Sequence, residues 1–345
     1  MVLVTFLVLS VLTTSQSAPI PESCVIEEPL FLQMGIQVDD AQSQKLTTLL
    51  LEVRKECLGA TSSCLPVLEK LRLAAWPHVQ AETNVTSTPW MPGWSLEPLG
   101  GILAQASGVS RKGTKMAFRH IFKAAGDTAF ANLQQATTGF EQQTYPDLCN
   151  AFHSTDERHR AFTFVRDPIS RFISGYGEIE YRTRTGLEWP DFDSLAKLLN
   201  GHPVGSSDRA AAFFEEFLRS GIDVNGHVRP QLEFLQPLSG CSLPMDFIGK
   251  TERAEEHWAK LFAMQNETVP KFDSLLAEHT HGERDKQAMK TFLASSAKYV
   301  RALCWLYLGD FAVFEYELPD ECRQEPMQSA VETLRRVPVS GNPLA

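Results

Sequence analysis

Short apolar runs alternate with longer stretches of helical spacing along most of the chain. Runs of strand length predict strands at Met116 to Phe122, Phe162 to Val165, Asp246 to Ile248 and Phe311 to Phe314. Apolar residues three and four positions apart predict helices at Thr128 to Gln135, Phe192 to Leu199, Ala210 to Leu218 and Ala254 to Met264, and within Arg284 to Leu306. Because strands that alternate with helices are typical of βαβ units, the pattern predicts an α/β domain with a central parallel sheet of about five strands.

The chain before this domain is predicted to be a helical extension. From Ala41 to Trp76 two apolar stripes at helical spacing, separated by Gly59 to Ser63, predict a helical hairpin. Residues 77–113 are rich in Pro and Gly and are expected to form a linker over the surface. The expected division is a leader (1–18), the extension with its linker (19–113), the main domain (114–322) and a loose tail (323–345).

The first residues are typical of a secretory signal peptide. Met1 to Leu12 are almost wholly apolar and are followed by small and polar residues. The run is shorter than the roughly 20 residues that span a bilayer. Since no Lys or Arg precedes it, an uncleaved signal anchor is the alternative, and membrane association is expected only through this segment. Two glycosylation sequons, at Asn84 and Asn266, agree with a location in the Golgi lumen or outside the cell.

The cysteines are expected to pair, because this route leads to an oxidising compartment. The predicted local pairs are Cys57 with Cys64 and Cys304 with Cys322. The total of 7 leaves at least one thiol free or bridged to another chain. No C-x-x-C spacing occurs and the 9 His are scattered, so no zinc site is expected.

The net charge of the chain limits which kinds of binding partner are expected. The formal net charge is −10, which opposes general nucleic-acid binding because that binding depends on neutralising phosphates. No nucleic-acid partner is therefore expected. Two local basic clusters remain, at Arg158 to Arg160 and at Arg182 to Arg184. Arg182 and Arg184 can hold an anionic acceptor, although an exposed helix end explains them equally well.

The stretch Phe162 to Tyr176, FTFVRDPISRFISGY, joins a predicted strand to a predicted helix with Arg166 at the junction. Asp167 suits the N-cap, and Pro168 suits the first helical position, where its missing N–H is not needed. A helix N-terminus carries N–H groups and a partial positive charge, so with Arg166 it predicts an anion site, most naturally for phosphate. The alternative is an ordinary capped helix whose Arg forms a salt bridge. Ser174 lies about two turns into the helix.

A second strand–loop–helix element lies upstream, at Lys123-Ala124-Ala125-Gly126-Asp127-Thr128. Small residues let the backbone approach a ligand closely, and consecutive N–H groups then surround an anion while Lys123 adds a charge. The loop is not a Walker A motif, which places its Lys after the second Gly. A carboxylate repels a phosphate, so Asp127 is expected to point away and to cap the following helix.

Together the two elements resemble sulfotransferases that use 3′-phosphoadenosine 5′-phosphosulfate, and FVRDPISRFISGY is particularly similar to the Golgi carbohydrate sulfotransferases. Three further segments share the resemblance: Asn225 to Gln231, Asp246 to Glu252 and Asp310 to Phe314. The resemblance covers roughly Lys115 to Tyr316 and leaves the N-terminal hairpin outside. It implies a P-loop-like three-layer domain, with helices flanking the central parallel sheet, that transfers a sulfuryl group to a hydroxyl of a carbohydrate.

The resemblance also implies roles for single residues. Lys123 would stabilise the leaving phosphate, and Arg166 and Ser174, eight positions apart, would hold the 3′-phosphate. The 5′-phosphosulfate would be held by the loop residues Lys123, Ala124, Ala125, Gly126, Asp127 and Thr128. His153 lies between the two elements, where related enzymes place a base, and is the first choice for the catalytic base; a solvent-exposed loop histidine is the alternative. No metal is expected, because Lys, Arg and backbone groups meet the charges.

Other residues are weighed for the same chemistry. His227 is the second choice for the base, with a structural role at the Pro230-Gln231 turn as the alternative. His120, Glu178 and Glu180 follow as further candidates. Three tryptophans can stack on sugar or adenine, although a Trp at helical spacing is more often a core residue: Trp189, Trp258 and Trp305.

Two other functions compete with the enzyme. A catalytically inactive secreted relative that binds nucleotide or glycan stays an alternative because of Asp127 and the undecided base, although the presence of Lys123 favours the enzyme. A nucleotide kinase on a similar fold is opposed by the missing Walker A motif and by the leader. The acceptor is not identified by the sequence, and the net charge of −10 makes a heavily sulfated polyanion a less obvious one.

Overall fold

The computed structural model describes residues 41–59, 64–86, 105–153, 159–185, 192–220, 225–237, 241–274, 282–338 and 343–344. The predicted leader and Trp189 lie outside these residues. Within them, no helix has both the length and the apolar character needed to cross a membrane.

Five strands form one sheet in the order β3-β1-β2-β4-β5. The strands are β1 (Gln105–Val109), β2 (Lys115–Phe118), β3 (Thr138–Gln143), β4 (His159–Val165) and β5 (Phe247–Lys250). Strands β2, β4 and β5 are parallel, with Phe118 opposite Phe162 and Phe162 opposite Phe247. Strand β1 is antiparallel to both β2 and β3. The predicted α/β class and parallel sheet are confirmed, and the antiparallel β1 was not expected.

Helices surround the sheet in the described part of the chain. They are α1 (Ala41–Leu58), α2 (Leu65–Thr83), α3 (Gly126–Ala136), α4 (Tyr145–His153), α5 (Pro168–Thr185), α6 (Phe192–Leu199), α7 (Ser207–Ser220), α8 (Ala254–Ala263), α9 (Glu283–Ala294), α10 (Ala297–Leu306), α11 (Leu308–Val313) and α12 (Met327–Arg336). Short 3-10 turns lie at Gly226–Val228, Gln231–Leu235, Thr251–Arg253 and Asp320–Cys322.

The sheet is buried on both faces, which makes the three-layer arrangement. Alternate residues of a strand point to opposite faces. Phe162 and Phe164 of β4 pack into one core with α3 and α8, while Ala161 and Val165 face the second, larger core with α5 and the remaining helices. Trp258 is fully buried in the first core beside Phe162, so it is a core residue and not a stacking platform.

The predicted N-terminal hairpin forms and belongs to the larger core. Helices α1 and α2 contact each other and pack on α12 and α10. Arg54 of α1 donates to the carbonyl oxygens of Leu334 (3.0 Å) and Val337 (2.7 Å). The ring of Trp305 stacks on His78 of α2 at 3.9 Å between centroids. The two helices of the predicted extension are therefore packed against the helices of the main domain.

Three parts of the chain differ from the sequence prediction. The expected linker holds β1 and the end of α2, which continues through the exposed Pro77. Residues 138–153, for which the sequence analysis predicts no helix or strand, hold β3 and α4. The expected loose tail contains α12, whose buried residues pack on α1. In each case tertiary contacts stabilise an element with a weak local signal.

The last expected strand, Phe311 to Phe314, is wrong. Residues Leu308–Val313 form helix α11, and all of them are buried. A short apolar run that is buried on every side has the same appearance in the sequence whether it is a strand or a helix.

One of the two predicted cysteine pairs is confirmed. Cys304 and Cys322 form a disulfide, whereas Cys57 and Cys64 are buried free thiols, so their predicted bond is wrong. A second disulfide joins Cys149 to Cys241 across a sequence separation of 92, and no local signal indicated it. Burial and the neighbouring Cys64 raise the pKa of the Cys57 thiol well above its usual value.

Candidate active site

The carboxyl ends of β2, β4 and β5 meet at one edge of the sheet, where parallel α/β sheets bind ligands. The loop to α3 follows β2, Arg166 follows β4, and Thr251 and Glu252 follow β5. All the segments that the sequence analysis singled out after strands therefore arrive at the same edge.

The loop after β2 has an unusual backbone. Lys123 and Ala125 have φ angles of 62° and 57°, in the left-handed region that non-glycine residues rarely adopt. Helix α3 then begins at Gly126, where a Cβ atom would collide with Nε2 of His120. The N-cap residue, Ala125, makes no side-chain capping hydrogen bond. The first N–H groups of a helix have no partner within the helix and can bind an anion, as in anion-binding loops.

The two charged side chains of this segment, Lys123 and Asp127, lie in different surroundings. Lys123 Nζ lies 2.9 Å from Glu178 Oε2 on α5, and Arg182 Nε lies 2.7 Å from Oε1 of the same carboxylate. Burial raises the pKa of Glu178, but Lys123 and Arg182 outweigh it and lower that pKa below its usual value. Asp127 is exposed in the first turn of α3, where an acidic residue suits the helix dipole, and its expected capping role stays a prediction.

Arg166 and Ser174 lie on the second element, at the end of β4 and within α5. Asp167 Oδ1 accepts the Ser170 N–H at 2.8 Å, so the predicted N-cap is confirmed. Within the described part of the chain, Arg166 hydrogen-bonds only through its backbone. The salt bridge of the alternative interpretation is therefore not observed among these residues, and the half-buried guanidinium group can receive an anion.

Residues with no predicted role hold the Arg166 peptide groups in place. Gln231 Oε1 accepts the Arg166 N–H at 2.8 Å, and Gln231 Nε2 donates to the Arg166 carbonyl at 2.7 Å. Asp310 Oδ2 in turn accepts the Gln231 N–H at 2.7 Å. Burial raises the pKa of Asp310 to about 6 against the opposing effect of its hydrogen bonds. Glu252 Oε1 accepts the Asp167 N–H at 2.7 Å.

These contacts explain the three further segments quoted for the resemblance. Gln231, Glu252 and Asp310 each come from one of them, and all three stabilise the turn after β4 directly or through Gln231. The sequence contained these three segments as a signal, but it did not show that their side chains contact the same turn after β4.

Arg171 is another residue that sequence reasoning missed. It is buried in α5, its Nε donates to the Phe122 carbonyl at 2.8 Å, and its Nη1 donates to the Arg229 carbonyl. Burial lowers its pKa to about 10. Arg171 thus links the loop of Lys123 to α5 and to the segment that contains His227.

The two histidines considered for the base lie in different places. His227 is buried, and its ring stacks on Phe122 at 4.4 Å between centroids. His153 is exposed at the end of α4, with Nε2 2.7 Å from the Ser242 carbonyl oxygen. It precedes β4, whose 7 residues run away from it towards Arg166.

His153 precedes the amino end of β4, and its role as the catalytic base stays a prediction. A seven-residue strand spans about 23 Å at about 3.3 Å per residue, and His153 lies near its amino end while Lys123 and Arg166 lie at the carboxyl edge. Position between the two elements in the sequence did not indicate which edge of the sheet the residue would reach, because the chain crosses the sheet between them.

The remaining candidates have structural contacts. Glu180 is fully buried and accepts from Arg209 Nε at 2.8 Å and from the Tyr176 hydroxyl at 2.9 Å. Arg184 Nη1 donates to Asp285 at 2.7 Å. His120 lies in the turn after β2 with three phenylalanine rings around it: Phe118, Phe122 and Phe130.

Comparison with known proteins agrees with this architecture. The model of the sulfotransferase family matches residues 111–317, which is more than half of the chain, and the chain belongs to this family.

Its curated relatives include carbohydrate sulfotransferase 14 of Danio rerio, which is 29% identical over 187 residues, or 47% of this chain and 47% of that protein. The Homo sapiens protein of that name is 26% identical over 181 residues, or 48% of this chain and 45% of that protein. The match thus spans about half the length of these relatives. No solved structure matches the chain.

Proposed function

We propose that this chain transfers a sulfuryl group from 3′-phosphoadenosine 5′-phosphosulfate to a hydroxyl group of a carbohydrate. The observation that carries the proposal is the meeting of the Lys123 loop and the Arg166–Ser174 pair at one edge of the sheet, linked through Arg171. The family match supports the reaction, and the names of the relatives support a carbohydrate acceptor.

The residues present fit the donor. Its 5′-phosphosulfate needs N–H donors and a cation, which the start of α3 and Lys123 supply. Thr128 lies half-buried in the first turn of α3 and adds a hydroxyl. Its 3′-phosphate needs a cation and a hydroxyl, for which the second element offers Arg166 after β4 and the buried Ser174 within α5.

The reaction is an in-line displacement at sulfur, similar in its demands to phosphoryl transfer. The acceptor oxygen forms a bond to sulfur while the bond from sulfur to the phosphate oxygen breaks, and adenosine 3′,5′-bisphosphate leaves. Lys123 and the N–H groups of α3 neutralise the charge that grows on the leaving oxygen. Lys123 must then exchange Glu178 for the donor, or share its charge between them.

We place the protein in the secretory pathway, in the Golgi lumen or outside the cell. Asn84 and Asn266, the acceptor residues of both sequons, are exposed. Two disulfides suit an oxidising compartment.

The proposal is tested with labelled donor and a panel of desulfated glycans and small phenols. We expect transfer to at least one glycan, together with binding of adenosine 3′,5′-bisphosphate measured by calorimetry. Nucleotide binding without transfer to any acceptor would favour the inactive relative. Absence of nucleotide binding would contradict the assignment of the site itself.

A further inference from the structure

His227 occupies the space between the two phosphate-binding elements. Its 3-10 turn, Gly226–Val228, packs against α5, where a Cβ atom at Gly175 would collide with the His227 carbonyl. On the other side Phe122, the residue before Lys123, stacks on the imidazole ring. The ring is thus adjacent to the loop that would hold the reacting sulfur, and Gly175 follows Ser174 directly.

The hydrogen bonds of Asn225 determine which ring nitrogen carries the proton. Asn225 Oδ1 accepts the backbone N–H of His227 at 3.0 Å, which identifies it as the carbonyl oxygen of the side chain. The same oxygen contacts Nδ1 of the ring, so Nδ1 must donate. The neutral tautomer with a proton on Nδ1 has its lone pair on Nε2, as a general base requires.

The charges around the ring keep it neutral. Burial lowers the pKa of His227 well below 6.5, and the cations Lys123, Arg182 and Arg171 lower it further together with His120. The carboxylate that faces these cations, Glu178, pairs with Lys123 and Arg182. Tyr307, at the carboxyl end of α10, donates its hydroxyl hydrogen bond to the Val228 carbonyl. An anionic donor on Lys123 would offset the cations, and the pKa of His227 would rise towards the value that suits a base at neutral pH.

We propose that His227 Nε2 is the general base of the transfer and that Asn225 is its positioning residue. The proton of the acceptor hydroxyl moves to Nε2 as the acceptor oxygen bonds to sulfur, and the electron pair of the broken sulfur–oxygen bond leaves with the nucleotide. This inference rests on the proposed sulfuryl transfer. Glu178 is the other group beside Lys123, but both of its oxygens already accept from cations, which makes it the weaker proton acceptor.

Two substitutions separate these groups. His227→Gln retains a polar side chain of similar size, and we expect kcat to fall by about 10²- to 10⁴-fold, the usual contribution of a general base, while the affinity for adenosine 3′,5′-bisphosphate is unchanged. Glu178→Gln is the matched variant, and it should retain the basic limb and the acidic limb of the wild-type pH profile. Full activity of His227→Gln, or loss of the acidic limb only in Glu178→Gln, would overturn the proposal and assign the base to Glu178.

The wild-type protein supplies a test that does not depend on a variant folding. A histidine resonance that titrates well below pH 6.5 in the free protein should move upward when adenosine 3′,5′-bisphosphate is added. Asn225→Ala should lower kcat without changing the KM of the donor. A set of histidine resonances insensitive to the nucleotide would contradict the proposal. If wild-type protein transfers no sulfuryl group, the proposed function fails; if it does and His227→Gln is equally active, only this inference fails.

Discussion

The two elements that we propose to bind the phosphates, the loop of Lys123 and the turn of Arg166, are built in opposite ways. After β2 the backbone is left-handed at Lys123 and Ala125, and Ala125, the N-cap residue of α3, makes no side-chain capping hydrogen bond. After β4 the turn is regular, Asp167 caps α5, and Gln231 holds both peptide groups of Arg166. The first element therefore offers backbone N–H groups to a ligand, and the second offers side chains.

This difference changes the explanation that the sequence suggested for the second element. A helix N-terminus attracts an anion only when its N–H groups have no other acceptor. Asp167 already accepts from Ser170 and brings a negative charge to that end of α5. In the proposed function, the 3′-phosphate would therefore be held by Arg166 and Ser174, whereas the 5′-phosphosulfate would be held by the backbone as well as by Lys123.

The largest expected effect belongs to the first element. Lys123→Ala should lower kcat by about 10²- to 10³-fold, the usual effect of removing one donor that stabilises developing charge. The affinity for adenosine 3′,5′-bisphosphate should change less, because the N–H groups of α3 remain. Initial rates with labelled donor and calorimetry measure the two quantities. If kcat and the nucleotide affinity fell equally, Lys123 would stabilise the ground state and the transition state alike. The first element would then act on binding, as the second is expected to do.

The second element should act on binding. Arg166→Ala should weaken binding of adenosine 3′,5′-bisphosphate by about 1.5–3 kcal/mol, the usual value for a charged hydrogen bond. Binding of adenosine 5′-phosphate, which has no 3′-phosphate, should hardly change. Arg219→Ala is the control, because that exposed arginine pairs only with Glu216 in the described structure. Unchanged affinity of Arg166→Ala for the bisphosphate, measured by calorimetry, would remove its role.

The smallest effect is expected at the cap. Asp167→Ala should lower the free energy of unfolding by about 1 kcal/mol, the typical value of an N-cap, because the Ser170 N–H loses its acceptor. Asp167→Asn should retain most of that stability, since its side-chain oxygen can still accept. Urea denaturation of both variants measures the difference. Nucleotide affinity that rises in both variants would sharpen the comparison, because it would show that the carboxylate opposes the 3′-phosphate; a large loss of affinity would contradict it.

Much of the site could be predicted because its signals are local. The loop of Lys123, the capped helix after Arg166 and the strands before both lie within short stretches whose apolar spacing and turn residues are visible in the sequence. The contacts that hold these stretches in place could not be predicted. Arg171 and Gln231 act through carbonyl and N–H groups of residues far away in the chain, 49 positions for Phe122 and 65 for Arg166.

The sequence by itself determined the α/β class, the two strand–loop–helix elements at Lys123 and Arg166 and the disulfide between Cys304 and Cys322, because spacing, capping and short loops decide these features locally. Only the tertiary structure decided that β1 joins the sheet, that Cys149 pairs with Cys241 and that His227, not His153, lies beside the Lys123 loop. Each of these depends on which remote segments share an edge or a face of the sheet. The packing of the whole core decides which remote segments become neighbours, so no short stretch of the sequence can predict it.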